Sequence, residues 1–592
     1  MRTDRRSFLR IVVASAAATP LAGLAGCDGD DGPTETPPEP DAGMLEPPEA
    51  VFPQGLASGD PKPDSVMLWT RVEPLGAEDE TVTLEFSDAA DFATLLVSQT
   101  LTAAADADHT VRVKVTDLTA RTPYYYRFRA RGTTSITGTT RTAPAPDDPV
   151  PVRLAFASCQ DFNGRLYHAW ARLREEGPVD FVLFLGDYIY ETTGDDFQDQ
   201  QGRQVSMPDG LTLDTGARAA LTLADYRALY KQYRSDPDLQ AVHAAVPFVC
   251  VWDDHEYADD CWGDHATYFD GRRGDEADPD RRLASDRAWF EYIPADVVRD
   301  ATAAWPDDMR IYRRLRFGQH VDLFLTDLRT YRSDHVVPEG PAEASVGKFS
   351  ENSSLGSRNF ALKSGFDVFE ATADPRPTML GAEQKRWLID GLTGSDAAWK
   401  LWGSSVQLAQ MTLDLSGFPD LPEQYRGLFY FSLDQWDGYR SERAEVLAAL
   451  AGVPDLVALV GDIHAFLASE LQVDFDQPAE PMGVEFVCAG ISSPSVQALT
   501  QRVVNGNEVL VAVGLADLVP RFDELLRLPS PHYKYSAVND NGVAVMDVDA
   551  ERIEVTYLIV EDATRADGGM VRQRVRMRVA RGSSRIELVE GG

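Results

Sequence analysis

Downstream of residue 152, five apolar runs each end in side chains able to bind a metal or move a proton. RLAFAS (153–158) ends in Cys159, and FVLFLG (181–186) ends in Asp187, with Tyr190 and Glu191 just beyond. PFVCVW (247–252) ends in Asp253, Asp254, His255 and Glu256. DLFLT (322–326) ends in Asp327 and Arg329, and DLVALVG (455–461) in Asp462 and His464. One acidic residue after a strand is more often a helix cap or turn former, and Asp187 alone would be read that way. Five such termini, mixing sulfur, nitrogen and oxygen donors, point to one shared site, because open α/β sheets bind ligands outside the carboxyl ends of their strands. A thiolate, a phenolate, a carboxylate and an imidazole suit a transition metal such as iron. A site built mainly of carboxylates suits a hard ion such as Ca²⁺ or Mg²⁺. A shared carboxylate such as Asp187 would bridge the two, and paired metals clamp the attacking and leaving oxygens of an in-line phosphoryl displacement.

The elements that must position these groups follow from the patterning. From Val152 onward, apolar strand-like runs alternate with longer amphipathic stretches such as 225–233 and 440–450, which predicts an α/β layered domain over 152–592. GVAVMDV (542–548), RIEVTYLIV (552–560) and VRQRVRMRVA (571–580) are expected to complete its sheets. Residues 51–143 hold short alternating segments separated by turn residues, among them SVMLWTRV (65–72), TVTLEFSD (81–88) and HTVRVKVTDL (109–118). That pattern predicts a small all-β sandwich, Ig- or fibronectin-like, and PAPDDPVP (144–151) reads as its linker. No internal repeat is evident.

The 592 residues exceed what one hydrophobic core usually organises. With 44% hydrophobic and 25% charged residues the composition is globular, which excludes wholesale disorder and a polytopic membrane protein. Lys and Arg number 56 against 94 Asp and Glu, for a net charge of −38. Such a surface repels phosphate backbones and argues against nucleic-acid binding; small phosphorylated substrates remain open where cations neutralise them. Five cysteines are too few for a disulfide scaffold of this size. At the N-terminus, Arg5 and Arg6 precede a weak apolar run from Ile11 to Gly26, too short for a comfortable membrane span. The twin arginine resembles a Tat export signal. Leu24-Ala25-Gly26-Cys27 resembles a lipobox with Cys27 as the lipidated residue, so residues 1–27 are expected to form a Tat-type lipoprotein signal. The acidic, Pro-rich stretch 28–50 reads as a flexible tether.

Several segments then resemble the PhoD-type alkaline phosphatases of the calcineurin-like metallophosphatase superfamily. FPQGLASGDPKPDSVMLWTRV (52–72) and DLTARTPYYYRFRA (117–130) resemble the family's N-terminal β domain. SCQDFNG (158–164), LGDYIYE (185–191), YRSDPDLQAVHAAVPFVCVWDDHE (233–256), TDLRTYR (326–332), DQWDGYRSERAEVL (434–447) and VGDIH (460–464) resemble its catalytic landmarks, in the family's order. The resemblance implies a two-sheet sandwich flanked by helices, and a site holding one Fe³⁺ and one or more Ca²⁺. Carried over residue by residue, it implies Cys159, Asp187, Tyr190 and His464 as iron ligands. Asp187 would bridge to calcium, with Asp254 and Asp462 contributing, and His255 would face the substrate. The chain departs from the family at Ala258-Asp259-Asp260, where Asp-Asn-Asn is common, so a further calcium site is not implied there.

On this reading the protein is an exported alkaline phosphatase, periplasmic or on the cell surface, monomeric, and attached to a membrane only through its lipid. It hydrolyses small phosphoesters with an oxygen nucleophile activated at a two-metal centre. His255 would protonate the departing alkoxide, and Arg165 and Arg329 are candidates to hold phosphate, with a salt-bridge role the alternative for each. A phosphodiesterase or phospholipase-D-like hydrolase using the same centre is the alternative, and a non-catalytic surface binding protein a more distant one. Other residues have plainer readings. Cys250 and Cys488 are buried thiols, a Cys250–Cys261 pairing is the lesser alternative for Cys261, and His243 is a packed helical residue. The pairs 272–273 and 281–282, all Arg, belong to a solvated charged face. The stretches 265–285 and 336–375 are read as lid-like insertions.

Overall fold

A computed structural model describes residues 46–591 apart from 195–197, 199, 200, 214, 215, 267–275, 337–358 and 478. The export signal, Cys27, most of the tether, the arginines at 272 and 273 and much of both expected insertions lie outside the described residues.

Two sheets form the centre of the molecule. In the first, Val152–Ala157, Phe181–Phe184 and Phe248–Cys250 run parallel, with Leu154 opposite Phe181 and Val182 opposite Phe248. Apart from Arg153 near its start, these strands are apolar, because parallel strands are covered on both faces. The three segments predicted near the C-terminus extend the sheet antiparallel from Val152–Ala157, as Asn541–Val548, Arg552–Val560 and Val571–Ala580. The second sheet has seven strands, and its central four, Val321–Leu325, Trp399–Ser404, Leu456–Val460 and Gly483–Val487, are parallel.

The sheets face each other across one continuous core. Phe156, Leu183 and Val545 of the first belong to the same buried cluster as Leu323, Leu401 and Val457 of the second. Phe181 and Phe317 stack across the interface at 4.1 Å. Fully burying side chains of this size contributes about 1.5–3 kcal/mol each, so the sandwich is a rigid support. Helices cover the outer faces. Trp170, on His168–Glu176, packs on Phe184 and Phe248 behind the first sheet. Leu388 of Gly381–Thr393 and Leu447 of Arg440–Leu450 join Phe324, Trp402 and Ala458 behind the second. The expected two-sheet α/β sandwich flanked by helices is the observed architecture.

The N-terminal segment differs in detail from a free-standing sandwich. Glu80–Ser87, Val97–Ala103 and Pro123–Ala130, with two short strands, form a five-stranded sheet. Its opposing layer consists of Leu56–Lys62, Ser65–Arg71 and Thr110–Val115, which are also the far edge of the ten-stranded sheet, joined to it where Gly59 pairs with Phe248. Leu68 and Val111 from that layer share a core with Leu84, Phe86 and Tyr126. The change of composition near residue 143 thus marks a change of core within a continuous sheet. At Gly59 an added Cβ would lie 2.3 Å from the Pro294 carbonyl oxygen, so the junction requires glycine.

Cys159, Cys250, Cys261 and Cys488 are free and buried, so the Cys250–Cys261 pairing is not formed. Arg281 and Arg282 are buried rather than solvated: Arg282 pairs with Asp286 at 2.9 Å, and Arg281 donates to the Tyr226 hydroxyl. Among the described residues no helix is long and apolar enough to cross a membrane.

Candidate metal centre

Every parallel strand that enters the site delivers its residues from its carboxyl end, and three of the loops do so through unusual backbone. Cys159, Asp187, Asp462 and His464 have φ of +58°, +58°, +64° and +53°. Non-glycine residues adopt this left-handed conformation at a cost, and such strain concentrates at functional sites. The turns also depend on glycine. Gly186 has φ +108°, and a Cβ there would sit 2.4 Å from the Asp253 Cβ; at Gly461 it would meet Ser158 at 2.7 Å. Both glycines let ligand loops from different strands touch.

The expected donors converge. Ligand atoms of Cys159, Asp187 and His464 lie within 4.8 Å of one another, as do those of Asp187, Asp253, Asp254 and Asp462. Asp187 belongs to both groups, as a bridging carboxylate must. The Tyr190 hydroxyl lies 3.3 Å from Asp187 Oδ2 and 3.1 Å from His464 Nε2, which places it with the first group. His464 donates from Nδ1 to the Pro494 carbonyl at 2.7 Å, leaving Nε2 directed at the cluster. That is the usual way a protein orients an imidazole ligand.

The chemistry of this set fits bound cations. Burial, then the neighbouring Asp187 and Asp462, push the Cys159 thiol well up. Burial, then Asp187 and Cys159, do the same to the Tyr190 phenol. Asp187 and Asp462 are raised by burial and by adjacent carboxylates, and Asp187 Oδ1 is buried with no hydrogen-bond partner. Groups whose ionisation is opposed by burial and mutual repulsion, packed at ligand spacing, are what a multivalent cation offsets. The S, N, phenol and carboxylate group suits iron, and the all-carboxylate group suits a hard ion. Burial pushes the His464 imidazole down to about 4, so it is neutral and able to ligate.

His255 stands beside the cluster. Its Nδ1 lies 2.8 Å from Glu191 Oε2, and its ring lies 4.2 Å from that of Tyr190. Burial would lower its pKa, but Asp254, Glu191 and Asp187 hold it well above the usual range, so the ring carries a proton. Asp254, although buried, is kept below the usual carboxylate range by Arg329 and His255.

Of the two readings the sequence leaves open for each arginine, Arg329 takes the salt-bridge one. Arg329 is fully buried, donating to Asp253 Oδ1 at 2.5 Å and Asp434 Oδ2 at 2.8 Å, with Asp254 Oδ2 at 3.5 Å. It is a counter-charge for the carboxylates in place of a phosphate-holding group, because its guanidinium is already committed and sealed from the pocket. Arg165 is 7% exposed, and its charge reaches His464. Asp327 accepts from Arg329 N, Thr330 N and Trp252 Nε1, and so acts as a turn former at the fourth strand end.

Residues without an assigned role complete the frame. The Glu256 carboxylate accepts three backbone N–H groups, from Asp187 at 3.0 Å, Tyr188 at 2.6 Å and Asp253 at 2.7 Å, tying two ligand loops together. Ser493 Oγ lies 2.7 Å from the Tyr190 hydroxyl. Gln435 Nε2 donates to Asp462 Oδ2. WDDHE marked Glu256 as acidic and near the site, and the Asp253-x-x-Glu256 spacing is that of a capping box, which accounts for its bond to Asp253 N but not for those to Asp187 and Tyr188. Asp253, with Oδ2 buried and unpartnered, is a further donor in the carboxylate group.

A pocket of about 200 Å³ opens over this centre, lined on one side by Asp254, His255, Asp462 and His464. Asp259 and Asp260 also line it, and with Asp254 they bring three carboxylates within 4.8 Å.

Comparison with known proteins accords with this geometry. Residues 154–557 match the family described as PhoD-like phosphatase, and residues 39–144 match the PhoD-like phosphatase N-terminal domain. The chain is 33% identical over 454 residues to alkaline phosphatase D of Bacillus subtilis (strain 168), covering 75% of this chain and 69% of that protein. A solved structure of PhoD superposes with a TM-score of 0.73 at 27% identity, covering 93% of this chain and 94% of the other. With strand ends, donor groups and both family matches in agreement, the chain belongs to the PhoD-like phosphatase family and is a phosphatase.

Proposed function

We propose that this phosphatase cleaves small phosphoesters at a two-metal centre, with iron held by Cys159, Asp187, Tyr190 and His464. Calcium would be held by Asp187, Asp254 and Asp462, with Asp253 adjoining. The observation that carries the reading is the pair of donor groups sharing Asp187, one mixed and one all-carboxylate, at the floor of a single pocket. When bound, the cations supply Lewis acidity for the phosphoryl oxygens and a nucleophile at neutral pH.

The chain's own residues provide the rest. His464 and Tyr190 are oriented by the Pro494 carbonyl and by Ser493, which aim both side chains at the mixed group. Glu191 fixes the His255 ring through Nδ1. The same contact, with Asp254, keeps it protonated, and it gives its proton to the departing alkoxide. Arg329 neutralises carboxylate charge beneath the pocket, which eases approach of an anionic ester. Arg165 is the group proposed to hold the phosphoryl oxygens.

We further propose that the Arg5-Arg6 segment directs export by the Tat route and that Cys27 carries a lipid, so membrane contact is through that anchor alone.

Inorganic phosphate release from a simple monoester, beside a diester and with calcium supplied, tests the reading. Cys159→Ala should lose iron and turnover together. Full turnover in Cys159→Ala would refute the iron assignment. A diester turned over faster than the monoester would replace monoester hydrolysis with the diesterase alternative.

A further inference from the structure

One wall of the catalytic pocket has no part in metal binding. Besides its carboxylates and imidazoles the pocket is lined by the apolar side chains of Phe360, Phe431, Val496, Leu499 and Val503. These come from the three-stranded sheet of Asn359–Leu362, Leu428–Ser432 and Thr412–Asp414, and from the helix Val496–Gly506. Phe360 and Thr500 of this wall also line a second cavity of about 40 Å³, which lies behind it. That cavity is bounded by Leu413, Phe429, Val504, Leu515 and Phe522 among others, with no charged side chain. The Thr500 hydroxyl donates to the Val496 carbonyl at 2.8 Å, so its hydrogen is spent on the helix.

Two features indicate a ligand subsite in place of a packing defect. First, the cavity adjoins the catalytic pocket at the shared residues Phe360 and Thr500. Second, Phe360 at that junction has φ +54°, a conformation that a bulky aromatic residue adopts only when its surroundings impose it. Its ring sits edge-on to Phe431 at 5.4 Å, forming a rim between the two spaces. Water in the cavity would find few polar partners, and about 10–15 Å³ of such space serves one water-sized group. The cavity therefore has room for about three or four methylenes.

We propose that this cavity is a leaving-group subsite that takes the apolar part of the ester's alcohol, favouring a short alkyl or aryl phosphate. The proposal rests on the phosphoesterase reading above and deepens it. The phosphoryl oxygens are drawn to the cation-binding side, so the organic half of the ester is the part free to reach the apolar wall. A polar alcohol such as a sugar or glycerol would leave its hydroxyls unpaired there and forgo this gain.

A series of n-alkyl phosphates tests this with the full-length, metal-loaded protein, by phosphate release. Normal alkanols from ethanol upward have nearly the same acidity, so differences along the series report binding, not leaving-group chemistry. Once the chain is long enough to cross the pocket, kcat/KM should rise by about fourfold per methylene that enters the cavity, over about three or four carbons, and then level or fall. Val504→Ala, which enlarges the cavity, should move the optimum to longer chains, and Val504→Phe should move it to shorter ones. Each optimum is a ratio within one protein, so partial misfolding cannot produce it. Turnover that is independent of chain length, or an optimum that neither substitution shifts, would overturn the subsite while leaving the phosphatase standing. Failure to release phosphate from any alkyl or phenyl ester would overturn the parent reading, and the subsite with it.

Discussion

The Glu256 carboxylate offers the most direct check on how the ligand loops are held. Its Oε2 accepts from the backbone N–H groups of Asp187 and Asp253, and Oε1 accepts from Tyr188, all within 3.0 Å and buried. Burial pushes this acid up to about 8, against three N–H donors that favour its charged form. Glu256→Gln keeps the shape but replaces one acceptor with a donor. If the amide oxygen keeps the two bonds at Oε2, the Tyr188 N–H is left facing an N–H₂ group; the reverse orientation strands two donors. One stranded buried donor costs about 1–3 kcal/mol, so the variant should lose at least that much in a denaturant titration. The displaced loops carry Asp187 and Asp253, and groups that orient ligands typically change metal affinity by about 10–100-fold. Elemental analysis after dialysis against graded chelator should therefore show weaker cation retention. A variant with unchanged stability and unchanged retention would refute the argument that Glu256 ties the two loops.

Three further outcomes follow from the same geometry. Arg329→Met strands the Asp253, Asp254 and Asp434 carboxylates it now faces; removing one partner of a buried ion pair costs about 3–5 kcal/mol. A loss below about 1 kcal/mol in urea unfolding would show that the carboxylates do not depend on it. His255→Asn should slow esters with poor leaving groups by about 10²–10⁴-fold and spare those with good ones, as read from the slope of rate against leaving-group pKa; an unchanged slope removes the proton-donor role. Glu485, far from the metal ligands in the chain, accepts from Leu408 N, Ala409 N and Ser469 Oγ, and burial pushes it up to about 7. An acid raised in the folded state stabilises fully below its unfolded pKa and loses that contribution as pH rises through the folded value. The melting temperature should thus fall as pH rises from about 4.5 to about 7, and Glu485→Gln should flatten that fall; an unchanged slope would remove Glu485 as its source.

Much of this was legible in the sequence for a simple reason. Parallel strands buried on both faces are runs of Val, Leu and Phe, and each run stops where the chain leaves the core. Residues such as Cys159, Asp187 and His464 therefore stand out as polar atoms at the ends of apolar words. The helices 223–233 and 440–450 were legible by the same logic of period. Partners that act through backbone were not legible. Glu256 and Ser493 hold the site by contacts with residues 69 and 303 positions away, and no local pattern encodes those. Arg329 stayed open between two roles because an arginine beside a ligand loop has the same local signature whether it faces substrate or carboxylates. Only its complete burial separates the two. The shared edge of the ten-stranded sheet was hidden likewise, since alternating strands look the same whether their sandwich is closed or continued.

The backbone of the centre explains why the metal groups and the fold belong together. Cys159, Asp187, Asp462 and His464 all occupy the left-handed region, at a cost of about 1–3 kcal/mol each. Their total is comparable with the whole net stability of an ordinary domain, about 5–15 kcal/mol. Two features keep these conformations in place without a ligand: the loops are pinned by Glu256 and by the close contacts at Gly186 and Gly461, and the strands below them sit in the continuous core between the sheets. The burial of that core offsets the strain and holds the donors at ligand spacing. Repulsion among Asp187, Asp254 and Asp462, which Arg329 and His255 offset in part, is then the residual cost that a cation would relieve. A multivalent cation bound at that spacing would balance the carboxylate charge that the fold gathers there.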